Sequence, residues 1–225
     1  MPNGPSIERI LVLDDNKNNQ QDFAFPIEAA DRTPVIVDGP LGPIEAFLNA
    51  HPAGDAAISD YQLAPGNYAE FDGAELVSRW YKRGFPAVLC TTFGRSNAAQ
   101  FRLLRRWIPV VMSPHELDPD SLVRALELTQ REIREEFVAA RRPWRALVRF
   151  VEFDDDSNTA NAKLPGWSDE VVAFRATDLS PRMRGLISNS AKAGDEYRCF
   201  ATANLGSESN DDLYVTGWEL PEDRS

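Results

Sequence analysis

Carboxylates and hydroxyl groups follow several short apolar runs in the N-terminal half of the chain. Asp14 and Asp15 end the run ILVLDD, and Asp60 ends the run AAISD. Thr91 and Thr92 follow the run PAVLC in the same way. If these runs are parallel strands, their carboxyl ends meet at one edge of the sheet and the side chains converge on one site. Three converging carboxylates repel one another unless a cation lies between them, and Mg²⁺ is the hard ion that suits such oxygen ligands.

An aspartate beside such a metal can also act as a nucleophile. Its carboxylate can attack a phosphoryl donor and form an acyl phosphate, because the metal shields two anions from each other. A nearby hydroxyl can hold a phosphoryl oxygen during the transfer. An isolated aspartate at a strand end would equally suit a residue that only caps the strand. The chemistry therefore depends on the elements that position these side chains.

Apolar runs alternate with helical patterns through this half of the chain. The runs lack polar alternation and lie at residues 8–15, 33–39, 55–60, 86–92 and 108–113. Helical patterns separate them at residues 18–30, 43–51, 74–84 and 96–107. This alternation predicts a parallel sheet covered on both faces. Five such units fit a doubly wound α/β sheet better than an eight-fold barrel, which needs roughly 250 residues.

A long helix is predicted after the fifth run. Asp118 can cap its start, and Pro143 would stop it. Apolar residues recur along it at near-heptad spacing, at Leu122, Leu126, Ile133 and Phe137. This stripe either packs on its own domain or forms a homodimer contact.

The pattern changes after Pro143. β-rich segments such as RALVRFVEF, EVVAFRAT, GLISN, EYRCFATA and DLYVTGWEL are divided by polar loops, and no helix is expected between them. We therefore predict an α/β domain over residues 1–128, a final helix and linker over residues 118–142, and a small all-β barrel or sandwich over residues 143–225.

Composition argues against several classes of function. The net charge is −11, and lysines and arginines are not clustered without interleaved acids, so nucleic-acid binding is not expected. We expect a cytoplasmic protein without a membrane span, since no apolar run approaches the length of a signal peptide core or of a transmembrane helix. Cys90 and Cys199 form no close-spaced pair. With only His51 and His115 present, histidine-based hydrolase chemistry is not expected, and we predict a non-enzymatic protein.

Residues 8 to about 130 resemble the receiver domain of bacterial two-component response regulators. The matching stretches are ILVLDDN, ISDYQL, DGAELV, VLCTT and VVMSP, in that order. The resemblance implies a flavodoxin-like fold and a role in phosphorelay signalling. It implies that Asp60 is the phosphoacceptor, that Asp14, Asp15 and Asp60 bind Mg²⁺, and that Thr91 is the switch hydroxyl. It also implies a sensor histidine kinase or phosphotransfer protein as the partner.

The chain departs from the receiver pattern in three places. Ser113 stands where the family has a lysine before Pro114, and a serine cannot supply that positive charge. Val110 occupies the usual aromatic position, so a switch at Thr91 lacks its usual partner. The loop after Asp60 is also longer than usual. An alternative is therefore a degenerate receiver that serves as an interaction scaffold without phosphorylation.

The C-terminal part is weakly similar to the PilZ family of cyclic di-GMP-binding β-barrels. The similarity lies in ARRPWRALVRF, with Arg141 and Arg145, and in ATDLSPRMRGL, with Asp178 and Ser180. Arginines suit this ligand because guanidinium groups bind phosphates in pairs and stack on guanine. Met183 occupies the expected glycine position. The other interpretation of this domain is a surface for an unknown protein partner. From residue 141 onward acids outnumber bases by 15 to 11, which argues against DNA binding.

Overall fold

The structure is a computed structural model, and it describes residues 6–50, 53–92 and 102–220. The chain divides into two compact units. The first contains Met1–Ser96 and Trp107–Glu136, and the second contains Asn97–Arg106 and Phe137–Ser225. None of the helices in the described ranges has the length and apolarity that a membrane span requires.

The first unit is built on a parallel sheet of five short strands. These are β1 (Arg9–Leu13), β2 (Thr33–Ile36), β3 (Ala56–Ser59), β4 (Ala87–Cys90) and β5 (Val111–Met112). Their order in the sheet is β2-β1-β3-β4-β5, with Leu11 of β1 opposite both Val35 and Ala57. Strands β3 and β4 are buried along their whole length. This is the doubly wound, flavodoxin-like order, so the predicted fold of this unit is confirmed.

Four α-helices are described in the first unit: α1 (Lys17–Ala29), α2 (Ile44–Asn49), α3 (Gly73–Lys82) and α4 (Pro119–Ile133). Asn16 caps α1, Asp72 caps α3 and Asp118 caps α4, each by accepting a backbone N–H of the first turn. Apolar residues of α1 and α4 pack with the strands in one core, among them Phe23, Ile27, Leu122 and Leu126.

Helix α4 is shorter than predicted. It begins after Asp118 as expected but ends at Ile133, and Glu135 then adopts a left-handed backbone with φ of 65°. Leu122 and Leu126 are 0% and 2% exposed within the core of the first unit. The first half of the predicted stripe therefore packs in this unit's own core, whereas Ile133 and Phe137 are only partly buried. The homodimer contact stays a prediction.

The predicted helix at residues 96–107 is wrong over its described part. Residues 102–104 form turns, and Arg105–Trp107 form a single turn of 3₁₀ helix. Residues 96–101 lie outside the described ranges. The side chains of Arg102 and Arg105 explain the difference, because both are buried among backbone carbonyls and acids of the second unit. Tertiary contacts here override the helical pattern of the sequence.

The second unit contains an antiparallel sheet, as predicted. Its strands are β6 (Trp144–Asp154), β7 (Thr159–Leu164), β8 (Ser168–Arg175), β9 (Tyr197–Ala203) and β10 (Val215–Glu219). The order is β10-β9-β6-β7-β8, and within the described residues no pairing joins the two outer strands to close a barrel. The core face carries alternate residues of the strands, including Val148, Phe150, Ala162 and Phe174.

The expectation of no helix in this domain is wrong. Helix α5 (Pro181–Lys192) lies between β8 and β9 and includes the segment GLISN that we predicted as a strand. Ser180 caps it by accepting the N–H of Met183, and Pro181 occupies its first position. Met183 and Ile187 are both 1% exposed and pack into the core of the sheet.

Candidate functional site

The three predicted acids lie together at the carboxyl edge of the first sheet. Asp14 and Asp15 follow β1, Asp60 follows β3, and all three line one pocket of about 320 Å³. Other residues that line this pocket are Asn16, Asn19, Asp22, Phe23, Gln62, Thr92, Pro114 and Leu117. The volume equals that of about ten water molecules, so the pocket has room for a hydrated metal ion and a phosphoryl group.

Asp14 is the most buried of the acids, at 1% exposure. Its Oδ1 accepts the N–H of Asn16 at 2.7 Å and the side-chain amide of Asn19 at 3.2 Å. Its Oδ2 is buried and has no hydrogen-bond partner among the described residues. Burial raises the pKa of Asp14 to about 6, and the negative charges of Asp60 and Asp15 contribute to the rise.

An unpartnered, buried carboxylate oxygen is what a hard cation would stabilise. The described residues contain no ready-made group of three His, Cys, Asp or Glu ligands. Asp15 lines the pocket but is exposed. The donor set nevertheless fits Mg²⁺, because this ion uses only one or two protein carboxylates and completes its octahedron with water and phosphate oxygens. Of the three acids, Asp14 is buried and Asp60 is partly buried where they line the pocket.

Asp60 is held in place by the backbone that follows it. One carboxylate oxygen, Oδ2, accepts the N–H of Gln62 at 2.8 Å, and the hydroxyl of Thr91 donates a hydrogen bond to the same carboxylate. Burial raises the pKa of Asp60, and these hydrogen bonds oppose the rise. Thr91 is buried at the end of β4. The structure thus brings the predicted phosphoacceptor and the predicted switch hydroxyl into contact.

Several supporting residues were not predicted as part of the site. The side chain of Gln20, buried in α1, donates to the backbone carbonyl of Asp14 at 2.7 Å. Gly73 begins α3 beside Asp60, where a Cβ would clash with the Asp60 carbonyl oxygen. The sequence signal for Gln20 was its spacing, which places it in the first turns of the helix that follows the acid pair. The turn Asp72-Gly73 carried the signal for the glycine.

The longer loop after Asp60 is attached to the neighbouring strand end. Tyr68 is buried in this loop, and its hydroxyl donates to the carbonyl of Val37, just beyond β2, at 2.6 Å. Its own carbonyl accepts the N–H of Leu41 at 2.7 Å. Burial raises the pKa of Tyr68, and the charge of Asp14 raises it further. The phenol therefore stays protonated and remains a hydrogen-bond donor at neutral pH.

Ser113 and Val110, two positions that depart from the receiver pattern, both lie in the described part of the first unit. The backbone N–H of Ser113, the residue at the lysine position of the family, donates to the carboxylate of Glu116 at 2.9 Å. Val110 is partly buried and packs against the core of the first unit. No basic side chain lies among the described residues that line the pocket. Its negative charge is therefore not neutralised by those neighbours.

The four residues of the PilZ-like pattern have separate partners. Arg141 is buried, and its guanidinium donates to the carbonyls of Arg105 and Arg106. Arg145 pairs with Glu219 and lies 3.6 Å above the ring of Phe200.

Asp178 and Ser180 make local contacts near the start of α5. The Asp178 carboxylate accepts two hydrogen bonds from Arg175, both at 2.9 Å. Ser180 caps the helix. Each of the four residues thus contributes to the packing of the second unit, and no described contact joins them into one ligand site.

Several solved structures that are similar to this chain are receiver domains. A receiver domain protein from Clostridium thermocellum has 14% identity and a TM-score of 0.43, covering 58% of this chain and 100% of its own. A CheY-like receiver domain protein from Methanospirillum hungatei has 17% identity and a TM-score of 0.42, covering 59% of this chain and 100% of its own. NtrX from Brucella abortus has 21% identity and a TM-score of 0.42, covering 58% of this chain but 29% of its own.

No protein-family model and no curated protein sequence matches the chain. The strand order and the acid-lined edge are what confirm the receiver-like fold expected from the sequence.

Proposed function

We propose that the first unit is an atypical receiver domain that accepts a phosphoryl group on Asp60 in phosphorelay signalling, with Mg²⁺ held by Asp14 and Asp60 and with Asp15 at the rim. The observation that carries the proposal is the Asp14 carboxylate. It lines the pocket with Asp60, and its buried Oδ2 has no hydrogen-bond partner among the described residues. A structural strand cap would satisfy both oxygens, whereas a metal ligand keeps one for the ion.

In this proposal a carboxylate oxygen of Asp60 attacks the phosphorus of a phosphohistidine donor. A P–O bond forms as the P–N bond breaks, and the imidazole leaves. Asp14 and Asp60 would hold Mg²⁺, which would supply positive charge for the phosphoryl oxygens. The N–H of Gln62 orients the attacking carboxylate, and Thr91 is placed to turn its hydroxyl toward a phosphoryl oxygen.

The donor would be a sensor histidine kinase or a phosphotransfer protein, and the second unit would pass the signal to a protein partner. The excess of acids in the second unit supports a partner other than nucleic acid. A cytoplasmic location remains a prediction. It agrees with two buried cysteines, Cys90 and Cys199, that are free thiols.

The direct test is phosphorylation of the full chain with acetyl phosphate and Mg²⁺, followed by intact-mass spectrometry. We expect one phosphoryl group per chain in the wild type and none in Asp60→Asn. Asp169→Asn, which removes an exposed carboxylate of β8, is the matched control and should be phosphorylated normally. Chelation of the metal should abolish the reaction. Unmodified wild-type protein that also forms no beryllofluoride adduct would contradict the proposal.

A constitutive scaffold is the second candidate function. It is favoured by the absence of a basic side chain among the described residues of the pocket and by Ser113 and Val110 at the two departures. In a scaffold, Asp60→Asn would leave partner binding and oligomeric state unchanged. In a signalling receiver, the same substitution would remove the effect of phosphorylation on partner binding.

Cyclic di-GMP binding by the second unit also stays a prediction. Arg141 could take part only if its hydrogen bonds to the carbonyls of Arg105 and Arg106 were broken. Calorimetric titration of the full chain with cyclic di-GMP tests this alternative. Heat that disappears in Arg145→Ala would support it, and the absence of heat would exclude it.

A further inference from the structure

The hydroxyl group of Tyr68 lies where a hydrogen bond between β1 and β2 is expected. The two strands are parallel, with Val12 opposite Ile36, and the N–H of Val37 donates to the carbonyl of Val12 at 3.1 Å. In a regular parallel ladder the next bond would run from the N–H of Asp14 to the carbonyl of Val37. That carbonyl instead accepts the hydroxyl of Tyr68 at 2.6 Å.

The same hydroxyl is also bonded to Asp14. The backbone N–H of Asp14 donates to the phenol oxygen, while the phenol donates its own proton to the carbonyl of Val37. A hydroxyl group can make both bonds at once, because it has one donor proton and two acceptor lone pairs. Tyr68 therefore bridges the end of β1 to the backbone that follows β2, at the residue whose carboxylate lines the pocket.

Other neighbours hold the remaining polar groups of Asp14. Its carbonyl accepts the side chain of Gln20 at 2.7 Å. Its Oδ1 accepts the N–H of Asn16 and the side-chain amide of Asn19. Its Oδ2 has no hydrogen-bond partner among the described residues. Because the N–H, the carbonyl and Oδ1 are all bonded, the position of Oδ2 is set by these bonds, and Tyr68 supplies the one at the N–H.

The loop after Asp60 is folded so that it brings Tyr68 to this place. Leu63 is fully buried, and its carbonyl accepts the N–H of Ala69 at 2.9 Å, which closes the loop around Tyr68. The carbonyl of Tyr68 accepts the N–H of Leu41 at 2.7 Å, and the residue is only 7% exposed. The longer loop that distinguishes this chain from the receiver pattern thus carries a buried phenol to the backbone of Asp14.

Gly39 makes room for the ring of Tyr68. A Cβ at this position would lie 2.6 Å from Cδ2 of the ring and 3.1 Å from the Tyr68 carbonyl oxygen, so the ring packs directly on the backbone after β2. A phenylalanine ring would fill the same place and keep the two strands apart. Removal of the hydroxyl alone should therefore leave the N–H of Asp14 and the carbonyl of Val37 without their shared partner.

We propose that Tyr68 is a positioning residue for Asp14, which holds the backbone of this acid so that its Oδ2 is presented to a divalent cation. The inference rests on the proposed Mg²⁺ site. Tyr68 is not among the described residues that line the pocket, so it acts through Asp14 and not on the ion itself. Residues that hold metal ligands in place commonly contribute about 10–100-fold to metal affinity.

Titration of the full chain with Mg²⁺, followed by the ¹⁵N–¹H signals of its amides, tests this role. In Tyr68→Phe we expect the Mg²⁺ affinity to fall about tenfold. The amide signal of Asp14 should move and its hydrogen exchange should become faster, because the amide has lost its acceptor. Tyr81→Phe is the matched control, since that hydroxyl also donates to a backbone carbonyl of the first unit, the one of Glu132 at 3.3 Å. It should keep the wild-type Mg²⁺ affinity and Asp14 signal.

The outcomes separate the role of Tyr68 from the proposed function. If Tyr68→Phe keeps the wild-type Mg²⁺ affinity or the wild-type Asp14 amide, the inference is overturned and the proposed function stands. Equal losses in Tyr68→Phe and Tyr81→Phe also overturn the inference, because they would reflect a general loosening of the unit. Failure of the wild type to bind Mg²⁺ overturns both.

A measurement on the wild type decides the question if Tyr68→Phe does not fold. The hydroxyl proton of Tyr68 should exchange slowly with water and show a nuclear Overhauser effect to the amide proton of Asp14. The bridge between Asp14 and Val37 requires this proximity. Absence of the effect overturns the inference, whatever the Mg²⁺ affinity.

Discussion

The pocket of the first unit buries negative charge beside open space, whereas a cluster in the second unit buries positive charge among oxygens that accept its hydrogen bonds. We call this cluster the arginine network, and its members are Arg102, Arg105, Arg141, Asn204, Asp212 and Tyr214. Asp14 has one carboxylate oxygen without a partner among the described residues, and its pKa is raised. Arg141 has two carbonyl partners and a ring beside it. Burying the unpartnered carboxylate oxygen of Asp14 costs free energy, and a bound cation would reduce that cost. The charged groups of the second arrangement are hydrogen-bonded within their own unit. The exception is Nε of Arg102, which has no partner among the described residues. The difference separates a binding site from a structural cluster.

The largest expected effect concerns the arginine network. Arg141→Ala would leave the carbonyls of Arg105 and Arg106 buried without their donor. We expect the free energy of unfolding of the second unit to fall by about 2–5 kcal/mol, because two carbonyls each lose a donor at a cost of about 1–3 kcal/mol. Urea denaturation followed by tryptophan fluorescence measures it.

Arg175→Ala is the control for that loss. It removes an equally large side chain from a pair in which Arg175 is 47% exposed, and it should cost less than about 1 kcal/mol. If Arg141→Ala and Arg175→Ala lower the free energy of unfolding equally, the buried arginine contributes no more to stability than an exposed one. The difference drawn between the network and the pocket would then be wrong.

The next effect concerns Asp14. Because its pKa is raised from 3.8 to about 6, the folded state holds this proton more tightly than the unfolded state does. Without metal, the Asp14 contribution therefore lowers stability as the pH rises from about 4 to 6, by up to about 3 kcal/mol. Asp14→Asn removes this cost, so it should stabilise the metal-free protein at pH 7.5 and hardly at all at pH 4.

Thermal unfolding at both pH values, with a chelator present, checks the Asp14 prediction. Asp15→Asn changes an exposed carboxylate of the same pair and should shift stability by less than about 0.5 kcal/mol. Saturating Mg²⁺ should stabilise the wild type and not Asp14→Asn. An equal gain at pH 4 and pH 7.5 would show that the buried charge is not the cause.

A smaller effect is expected at Gly73, which supports the pocket through its lack of a side chain. In Gly73→Ala, the new Cβ must displace the Asp60 carbonyl, and we expect a loss of about 2 kcal/mol together with slower phosphorylation. Gly185→Ala is the matched control, because a Cβ in that helix meets nothing within 4 Å and should stabilise by about 0.5–1 kcal/mol. Phosphorylation at the wild-type rate in Gly73→Ala would mean that the backbone of Asp60 does not need this close approach.

The sequence was sufficient for the first sheet because each strand there is a continuous apolar run ending in polar residues. Those runs also located Asp14 and Asp60, since the strand ends of a parallel sheet share one edge. The arginine network was not predictable in the same way. Its members lie at positions 102–106, 141 and 204–214, and only long-range contacts bring them together.

Two errors at helix boundaries have local causes. Helix α5 was missed because only Met183 and Ile187 of its residues are buried, although Ser180 and Pro181 carried the signals of a helix start. Helix α4 was extended too far because the residues between Ile133 and Pro143 include no glycine or proline, and the left-handed backbone at Glu135 has no marker in the sequence. In both cases tertiary packing, and not the local sequence pattern, determines where the helix begins or ends.

The smallest expected effect tests whether the missing cation limits the pocket. Ser113→Lys places an ammonium group at the end of β5, next to Pro114 of the pocket lining. We expect the affinity for beryllofluoride to rise about fivefold, equivalent to roughly 1 kcal/mol. Glu116→Gln, which removes the carboxylate bound to the Ser113 backbone, should act in the same direction. Thr177→Lys adds the same charge to the second unit and should have no effect. If neither Ser113→Lys nor Glu116→Gln raises the affinity, uncompensated negative charge is not what distinguishes this pocket, because the metal alone neutralises it.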